Sequence, residues 1–177
     1  MSEARTADAG LEAVNAAPAG AAERMLLDCC ASPAWARTVS AGRPYQDRAA
    51  VAAAADAALA GLPWSELERA LAAHPRIGER PAGDARDAGW SRREQAGVDG
   101  ARPATLAALA AGNEAYERRF GHVYLVSAAG RSGDDLLALL RSRLDNDVAT
   151  ERAVVREELR KIVRLRLDRL LDEAARG

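Results

Sequence analysis

Residues 150–171 read TERAVVREELRKIVRLRLDRLL, and this stretch decides the fold class. Its large apolar side chains recur with helical periodicity at Val155, Leu159, Ile162 and Leu170. Residues at this spacing lie on one side of a helix, and Thr150 is of a type that often caps a helix N-terminus. The stretch therefore predicts a long helix from Thr150 to about Leu171, which spans roughly 30 Å.

Arg166 interrupts the apolar stripe of this helix. At about 100° per residue its side chain points with the stripe, whereas Arg164 points away from its centre. A guanidinium directed at a core is costly unless it pairs with an anionic group. Three explanations stay open: the side chain extends along the helix to water, pairs with a structural carboxylate, or binds an anionic ligand.

The composition of the whole chain also favours helices. Of its 177 residues, 49% are hydrophobic but only 4% are aromatic, so the apolar residues are mostly Ala, Leu and Val. Ala and Leu are strong helix formers, and residues that favour strands are scarce. We predict an all-α fold, a single-domain bundle of about seven or eight helices, since this length suits one domain.

Glycine and proline divide the chain into segments. Residues 1–20 lack large apolar periodicity and are expected to form a flexible tail, followed by a helical domain over residues 21–174. Proline residues and Gly61 and Gly121 mark helix starts and stops. The predicted helices cover about 21–31, 46–60, 63–73, 91–97, 103–120, 132–144 and 150–171. We expect a turn at Pro33, an irregular loop over 76–89, and a brief extended or linking segment over 123–126.

Charge and cysteine content exclude several classes of protein. The net charge is −1, so we expect no general affinity for nucleic acid or for an anionic membrane. Cys29 and Cys30 are adjacent and form no disulfide framework. There is neither a signal pattern nor an 18-residue apolar run, and we expect a cytoplasmic protein.

Cofactor motifs are absent from the sequence as well. No histidine and cysteine cluster has metal-ligand spacing, and no nucleotide-binding loop or nucleophile elbow occurs. Lys161 is the only lysine and lies on a charged helix face, which argues against a cofactor bound as a Schiff base. We predict neither a metal nor an organic cofactor.

Four polar residues are candidates for chemistry or for structure. His74 follows a helix and precedes a glycine-containing loop, where it either transfers protons or caps the helix C-terminus. Glu94 lies three residues after Ser91, which is the spacing of a capping box. Asn113 interrupts an apolar helix face, and a buried amide usually bonds a nearby backbone group.

Four sequence blocks, taken together, resemble the OHCU decarboxylase family, which acts on 2-oxo-4-hydroxy-4-carboxy-5-ureidoimidazoline (OHCU). The first is His74-Pro75-Arg76-Ile77-Gly78, and the second is Ser91-Arg92-Arg93-Glu94-Gln95. The third contains Asn113, Tyr116, Phe120 and Gly121, and the fourth contains Arg143, Asn146, Glu151 and the stretch 161–167. The blocks occur in the family's order over residues 24–172. The segment 122–126 departs from the family's aromatic-rich pattern.

The resemblance implies a function and a set of site residues. His74 is implied to be the catalytic acid or base with Glu94 assisting it, while Ser91, Gln95, Pro75 and Arg166 are implied to contact the substrate. The family is all-α, needs no cofactor, often forms homodimers, and converts OHCU to (S)-allantoin after urate oxidase and hydroxyisourate hydrolase. Two alternatives stay open: a decarboxylase of a related ureido acid, and a non-catalytic helical interaction module.

Overall fold

Helices form all the regular structure of residues 8–176, which are the residues that this computed structural model describes. Nine α-helices occur in this range, together with one 3₁₀ turn at Ala96–Val98. In chain order they are α1 (Ala9–Ala16), α2 (Ala19–Leu27), α3 (Pro33–Ala41), α4 (Arg48–Ala60), α5 (Trp64–Leu71), α6 (Arg86–Glu94), α7 (Pro103–Phe120), α8 (Gly133–Leu144) and α9 (Val148–Ala174). The predicted all-α class is confirmed, although the described part of the chain holds more helices than the seven or eight expected.

The chain divides into two compact units. The first combines the chain up to Leu62 with the chain from Val163 onward, and the second comprises Pro63–Ile162. In the first unit α2 packs against α3 and α3 against α4, and in the second unit α7 packs against α8. The first unit is thus made from two separate stretches of sequence.

The expectation of a flexible tail over residues 1–20 is wrong from residue 9 onward. Asp8 caps α1 by accepting a hydrogen bond from the backbone N–H of Leu11 at 3.1 Å. Leu11 and Val14 are buried, and a Cβ on Gly10 would lie only 1.8 Å from the carbonyl oxygen of Leu171. Close packing against the end of α9 thus stabilises a helix whose own sequence is mostly small residues. Residues 1–7 lie outside the described part.

The turn expected at Pro33 is in fact the start of α3. Ser32 caps this helix, and Pro33 occupies its first turn, where its missing N–H leaves no helical hydrogen bond unmade. Trp35 docks α3 onto α4, because its ring is buried and its Nε1 donates to the carbonyl of Ala55 at 3.0 Å. The sequence pattern missed α3 because it lacks a stripe of large apolar residues.

Two predicted helix starts need correction. α9 begins at Val148, because Asp147 and not Thr150 caps it: a carboxylate oxygen of Asp147 accepts from the Thr150 N–H at 2.8 Å. α6 begins at Arg86 and not at Ser91. The predicted end of α7 is confirmed, since Gly121 stands directly after it with φ of 79°, in the left-handed region that favours glycine.

The second unit contains a continuous apolar core. It includes residues of α7 and α8 and of the non-helical segment between them, together with Ile77 of the loop after α5. Its buried members are Ile77, Val98, Leu109, Tyr116, Tyr124, Val126, Ala128, Leu136, Leu137 and Leu140. This core carries the candidate functional site.

Candidate functional site

His74 lies just beyond α5 in the second unit. Its backbone N–H donates to the carbonyl of Leu71 at 2.9 Å, which closes the last turn before Pro75. The chain then leaves the helix, as expected for a residue that precedes proline. The imidazole is half-buried and lines two neighbouring cavities.

Two amide side chains hold the loop that follows His74. Gln95 accepts from the N–H of Gly78 at 2.9 Å and donates to the carbonyl of Arg76 at 3.2 Å. Asn113 donates to the carbonyl of Ile77 at 2.8 Å, so the structural role considered for this residue is confirmed. Three consecutive loop residues therefore receive side-chain hydrogen bonds that a helix or strand would otherwise supply.

Ser91 and Glu94 lie inside α6 and are both buried, with 5% and 8% of their surface exposed. Because α6 starts at Arg86, Ser91 cannot be its N-cap, and the capping-box explanation for Glu94 is wrong. The capping box that does occur joins Ser132 and Asp135 at the start of α8. A buried carboxylate three residues from a buried hydroxyl needs another explanation, and both side chains line the cavity beside His74.

Five of the six residues implied by the resemblance meet at this inner cavity of the second unit. They are His74, Pro75, Ser91, Glu94 and Gln95. The cavity volume is about 20 Å³, enough for about one water molecule, whereas sites for small molecules usually measure about 300–1,000 Å³. A ligand of metabolite size can enter only if the cavity walls move.

The opposite wall of the inner cavity is the non-helical segment 124–128, which we call the cavity wall. Tyr124, Leu125, Val126 and Ala128 line the cavity. The sequence predicts an extended or linking segment over 123–126 but does not assign it to the site. The sequence feature that could have indicated this role is an apolar segment that lacks helical periodicity and lies between two helices.

A wider concavity lies on the other side of the His74-Pro75 pair. Its volume is about 600 Å³, and it is also lined by Arg76, Glu117 and His122. Arg76 donates to both carboxylate oxygens of Glu117, at 2.7 and 2.8 Å. This hydrogen-bonded guanidinium lowers the pKa of Glu117 below its ordinary value of 4.5.

Arg166 belongs to the first unit, on α9. Only 5% of its surface is exposed, which confirms that it points with the apolar stripe and excludes extension to water. One guanidinium nitrogen donates to the carbonyl of Asp28 at 3.4 Å. By contrast, Arg164 is exposed and pairs with Asp56 at 2.6 Å, as its position on the charged face predicts.

Residues 8–176 contain neither of two other kinds of site. Within this range no three histidine, cysteine or acidic side chains are arranged to hold a metal ion. No helix of the described range is long and apolar enough to cross a bilayer.

The described residues define an all-helical protein whose second unit brings a histidine, a carboxylate, a hydroxyl and an amide to one small cavity. The sequence model of the OHCU decarboxylase family matches residues 15–168. This match spans both units and most of the chain, and the chain belongs to the OHCU decarboxylase family.

Individual proteins show the same relationship. The chain is 28% identical over 152 residues to the uric acid degradation bifunctional protein TTL of Arabidopsis thaliana, a match that covers 84% of this chain but only 47% of that protein. The chain thus spans about half the length of that relative. It is 29% identical over 141 residues to the 2-oxo-4-hydroxy-4-carboxy-5-ureidoimidazoline decarboxylase of Amia calva, covering 78% of this chain and 81% of the relative.

A solved structure extends the comparison to the fold. The crystal structure of an OHCU decarboxylase in the presence of (S)-allantoin superposes with a TM-score of 0.73 at 25% sequence identity. The match covers 82% of this chain and 96% of that one.

Proposed function

We propose that this chain catalyses the decarboxylation of OHCU to (S)-allantoin, with His74 as the acid–base residue. The observation that carries the proposal is the convergence of His74, Ser91, Glu94 and Gln95 on one cavity in a member of the OHCU decarboxylase family. In the pathway implied by the resemblance, the enzyme acts after urate oxidase and hydroxyisourate hydrolase. Its substrate is a small anionic ureide.

The substrate supplies its own electron sink. One ring carbon of OHCU bears a hydroxyl and a carboxylate, and it adjoins a C=N bond at the carbon that carries the ureido group. When the bond to the carboxylate breaks and CO₂ leaves, the electron pair passes towards this C=N bond. The ring nitrogen of this bond and the ureido-bearing carbon each gain a proton, and the hydroxyl loses one as it becomes a carbonyl. The net reaction therefore takes up one proton. The protein has to position the substrate and control charge and protons.

His74 and Glu94 are the proton-handling pair of the proposal. A histidine titrates near neutrality and can move a proton to or from the hydroxyl or the developing enol. Glu94 orients the imidazole or accepts a hydrogen bond from a ring or ureido N–H. Delivery of the proton to one face of the intermediate gives a single allantoin enantiomer.

The remaining residues bind the substrate. Ser91 and Pro75 border the cavity beside His74, and the Ser91 hydroxyl is suited to the ureido or ring amides. Gln95 uses part of its amide to hold the loop after His74, while its second N–H and second lone pair suit a ureide. Arg166 binds an anionic substrate oxygen, because a planar guanidinium matches a carboxylate with two donors.

The test supplies the pure protein with OHCU made from urate by the two preceding enzymes of the proposed pathway. Urate is treated with urate oxidase and hydroxyisourate hydrolase, and allantoin circular dichroism is followed with and without the pure protein. We expect (S)-allantoin to form faster with the wild-type protein, and His74→Asn to lower kcat by about 10²–10⁴ with unchanged helicity. No acceleration by the folded wild-type protein would contradict the proposed function.

Cofactor independence, the homodimer and a cytoplasmic location stay predictions. Exhaustive treatment with EDTA is one arm of the same assay, and we expect full activity after it. Loss of activity that returns on addition of a metal would overturn the cofactor prediction. Sedimentation of the active protein measures its oligomeric state.

The small inner cavity is the observation that favours a non-catalytic interaction module, because a site of about 20 Å³ does not hold a ureide without rearrangement. Titration with (S)-allantoin, followed by calorimetry, separates the two functions. We expect saturable binding that His74→Asn or Ser91→Ala weakens. A folded protein that neither binds allantoin nor decarboxylates OHCU would favour the module.

A further inference from the structure

A buried charge network lies among α7, α8 and α9 in the second unit. The Arg143 and Glu151 side chains are 7% and 0% exposed, and a guanidinium nitrogen lies 2.5 Å from a carboxylate oxygen. Glu151 also accepts hydrogen bonds from the Tyr116 hydroxyl and, at 2.8 Å, from the Asn146 amide. The Arg143 guanidinium lies over the ring of Tyr124, 4.9 Å from its centroid. Each of these side chains makes a hydrogen bond, an ion pair or a cation–π contact with at least one other member of the network.

Arg143 also reaches the cavity wall. Its second terminal nitrogen donates to the carbonyl of Leu125 at 2.5 Å. Two residues further along, the N–H of Ser127 donates to the Glu158 carboxylate at 2.8 Å. The wall lacks helical hydrogen bonds, so these two contacts hold its backbone on either side of Val126. Arg131 adds a third, because its Nε donates to the Ser127 carbonyl at 3.1 Å. Leu125 and Val126 border the cavity that also contains His74, Ser91 and Glu94.

Stability alone does not explain a buried ion pair. Removing two charges from water is expensive, and well-packed apolar replacements for such pairs are often neutral or stabilising. Apolar side chains cannot, however, donate to a backbone carbonyl. The part of the network that an apolar core cannot reproduce is the hydrogen bond from Arg143 to Leu125.

We propose that Arg143, held by Glu151, is a positioning residue for the reaction proposed above. It fixes the Leu125 carbonyl and so sets the distance between the cavity wall and the residues opposite. The inference rests on the proposed function for its catalytic consequence, but the position of the wall can be measured without catalysis. A displacement of about 1 Å in a site can lower catalysis about a hundredfold.

The test removes both charges, so that neither is left buried alone. In Arg143→Met/Glu151→Gln the glutamine still accepts from Tyr116. We expect a folded protein with a moderately lowered thermal midpoint, because the buried Leu125 carbonyl loses its donor. We also expect faster hydrogen exchange in residues 123–128. We expect kcat/KM to fall about tenfold to a hundredfold, while the pH dependence is unchanged because His74 and Glu94 are untouched.

A second variant covers the case in which the double variant does not fold. Arg143→Lys keeps the charge beside Glu151 but loses the planar fork that reaches Glu151 and Leu125 together. We expect it to fold and to show the same faster exchange, with a smaller loss of kcat/KM. The matched control is Glu157→Gln/Arg160→Met, which removes an exposed pair from α9, and we expect wild-type behaviour.

The outcomes separate this inference from the proposed function. Wild-type exchange in residues 123–128 of a folded Arg143 variant would overturn the inference, whatever the activity. Faster exchange with unchanged kcat/KM would also overturn it, because the wall would then not need Arg143 for catalysis. A wild-type protein without activity on OHCU contradicts the proposed function, and the exchange measurement still decides whether Arg143 fixes the wall.

Discussion

Arg166 is buried on α9 only two residues from the exposed Arg164, and this pair offers a matched test of the substrate-binding proposal. Arg166→Lys keeps the charge but loses the two-pronged donor geometry. We expect it to fold and to lose about tenfold to a hundredfold in kcat/KM, since hydrogen bonds to charged groups are worth about 1.5–3 kcal/mol. Steady-state kinetics on OHCU and thermal melts provide the measurement.

The control is Arg164→Lys. Arg164 is paired with Asp56, but its side chain is 46% exposed, and pairs of this kind contribute at most about 1 kcal/mol. We expect kcat/KM to stay at the wild-type value. Equal losses at the two positions would show that α9 places no arginine in the site.

Glu94 provides a second test at a single residue. With the capping box excluded, Glu94→Gln keeps the size of the side chain and one acceptor oxygen. It removes the negative charge and replaces the other oxygen by an amide donor. We expect the folded variant to lose most of kcat, because the glutamine cannot accept a proton or stabilise a charged imidazole. Circular dichroism checks the fold, and a fully active variant would remove Glu94 from the mechanism.

At the scale of structural elements, the loop after His74 depends on Gln95. Gln95→Leu leaves the Gly78 N–H and the Arg76 carbonyl without their hydrogen-bond partner. We expect the free energy of unfolding in urea to fall by about 1–3 kcal/mol, because each of the two lost hydrogen bonds contributes about 0.5–1.5 kcal/mol net. Gln46→Leu is the control, because Gln46 is exposed and we expect a change within about 0.5 kcal/mol. Equal changes would show that the loop does not need the amide.

α1 and α2 offer a matched pair of glycines, each the second residue of its helix. A Cβ on Gly10 would lie 1.8 Å from the Leu171 carbonyl oxygen, whereas a Cβ on Gly20 meets only a flexible arginine nitrogen at 3.6 Å. We expect Gly10→Ala to destabilise the protein by about 1–3 kcal/mol through overpacking. Gly20→Ala should be neutral or stabilising by up to about 1 kcal/mol, because alanine favours helices. Chemical denaturation measures both, and a silent Gly10→Ala would show that α1 is not packed in solution.

Some of these elements could be predicted from the sequence, and others could not. The long helix α9, the stop at Gly121 and the burial of Arg166 follow from local periodicity and backbone preference. α1 and α3 were missed because partners distant in sequence stabilise them: Leu171 approaches Gly10, and the Ala55 carbonyl accepts from Trp35. In the site, His74 and Glu94 were identified through the resemblance. The cavity wall was not identified from the sequence, because its contribution depends on contacts from Arg143 and Glu158 that no sequence pattern indicates.

For the whole molecule, stability should fall at both extremes of pH. The pKa values of five carboxyl groups are lowered, mainly by hydrogen bonds from arginine, hydroxyl and backbone donors; they are Asp8, Glu117, Asp134, Asp135 and Asp147. Groups with lowered pKa values stabilise the fold above their ordinary values of 3.8–4.5, and this contribution is lost as the pH falls through the lowered values. We therefore expect the thermal midpoint to decrease below about pH 4.5.

The loss of stability at alkaline pH has the opposite cause, because it comes from groups whose pKa values are raised. Burial raises the pKa values of Tyr116 and Tyr124 above the ordinary value of 10.0. Below pH 10.0 both phenols are neutral in the folded and in the unfolded chain, and the fold keeps its full stability. Above pH 10.0 the phenols ionise first in the unfolded chain, which favours unfolding, so stability is lost as the pH rises. A thermal midpoint that does not change from pH 3 to pH 11 would contradict both limits.

The discontinuous first unit has a consequence for the order in which the protein assembles during synthesis. Residues 63–162 are contiguous, so the second unit has all its sequence outside the ribosome before the first unit is complete. α1 emerges early, but its packing partner Leu171 is 161 residues away from Gly10 and is translated only after the whole second unit. Contacts over such separations close slowly. The apolar faces of the nascent N-terminal helices therefore stay exposed until α9 has emerged from the ribosome. We expect chaperone binding to the nascent chain to be highest just before that point.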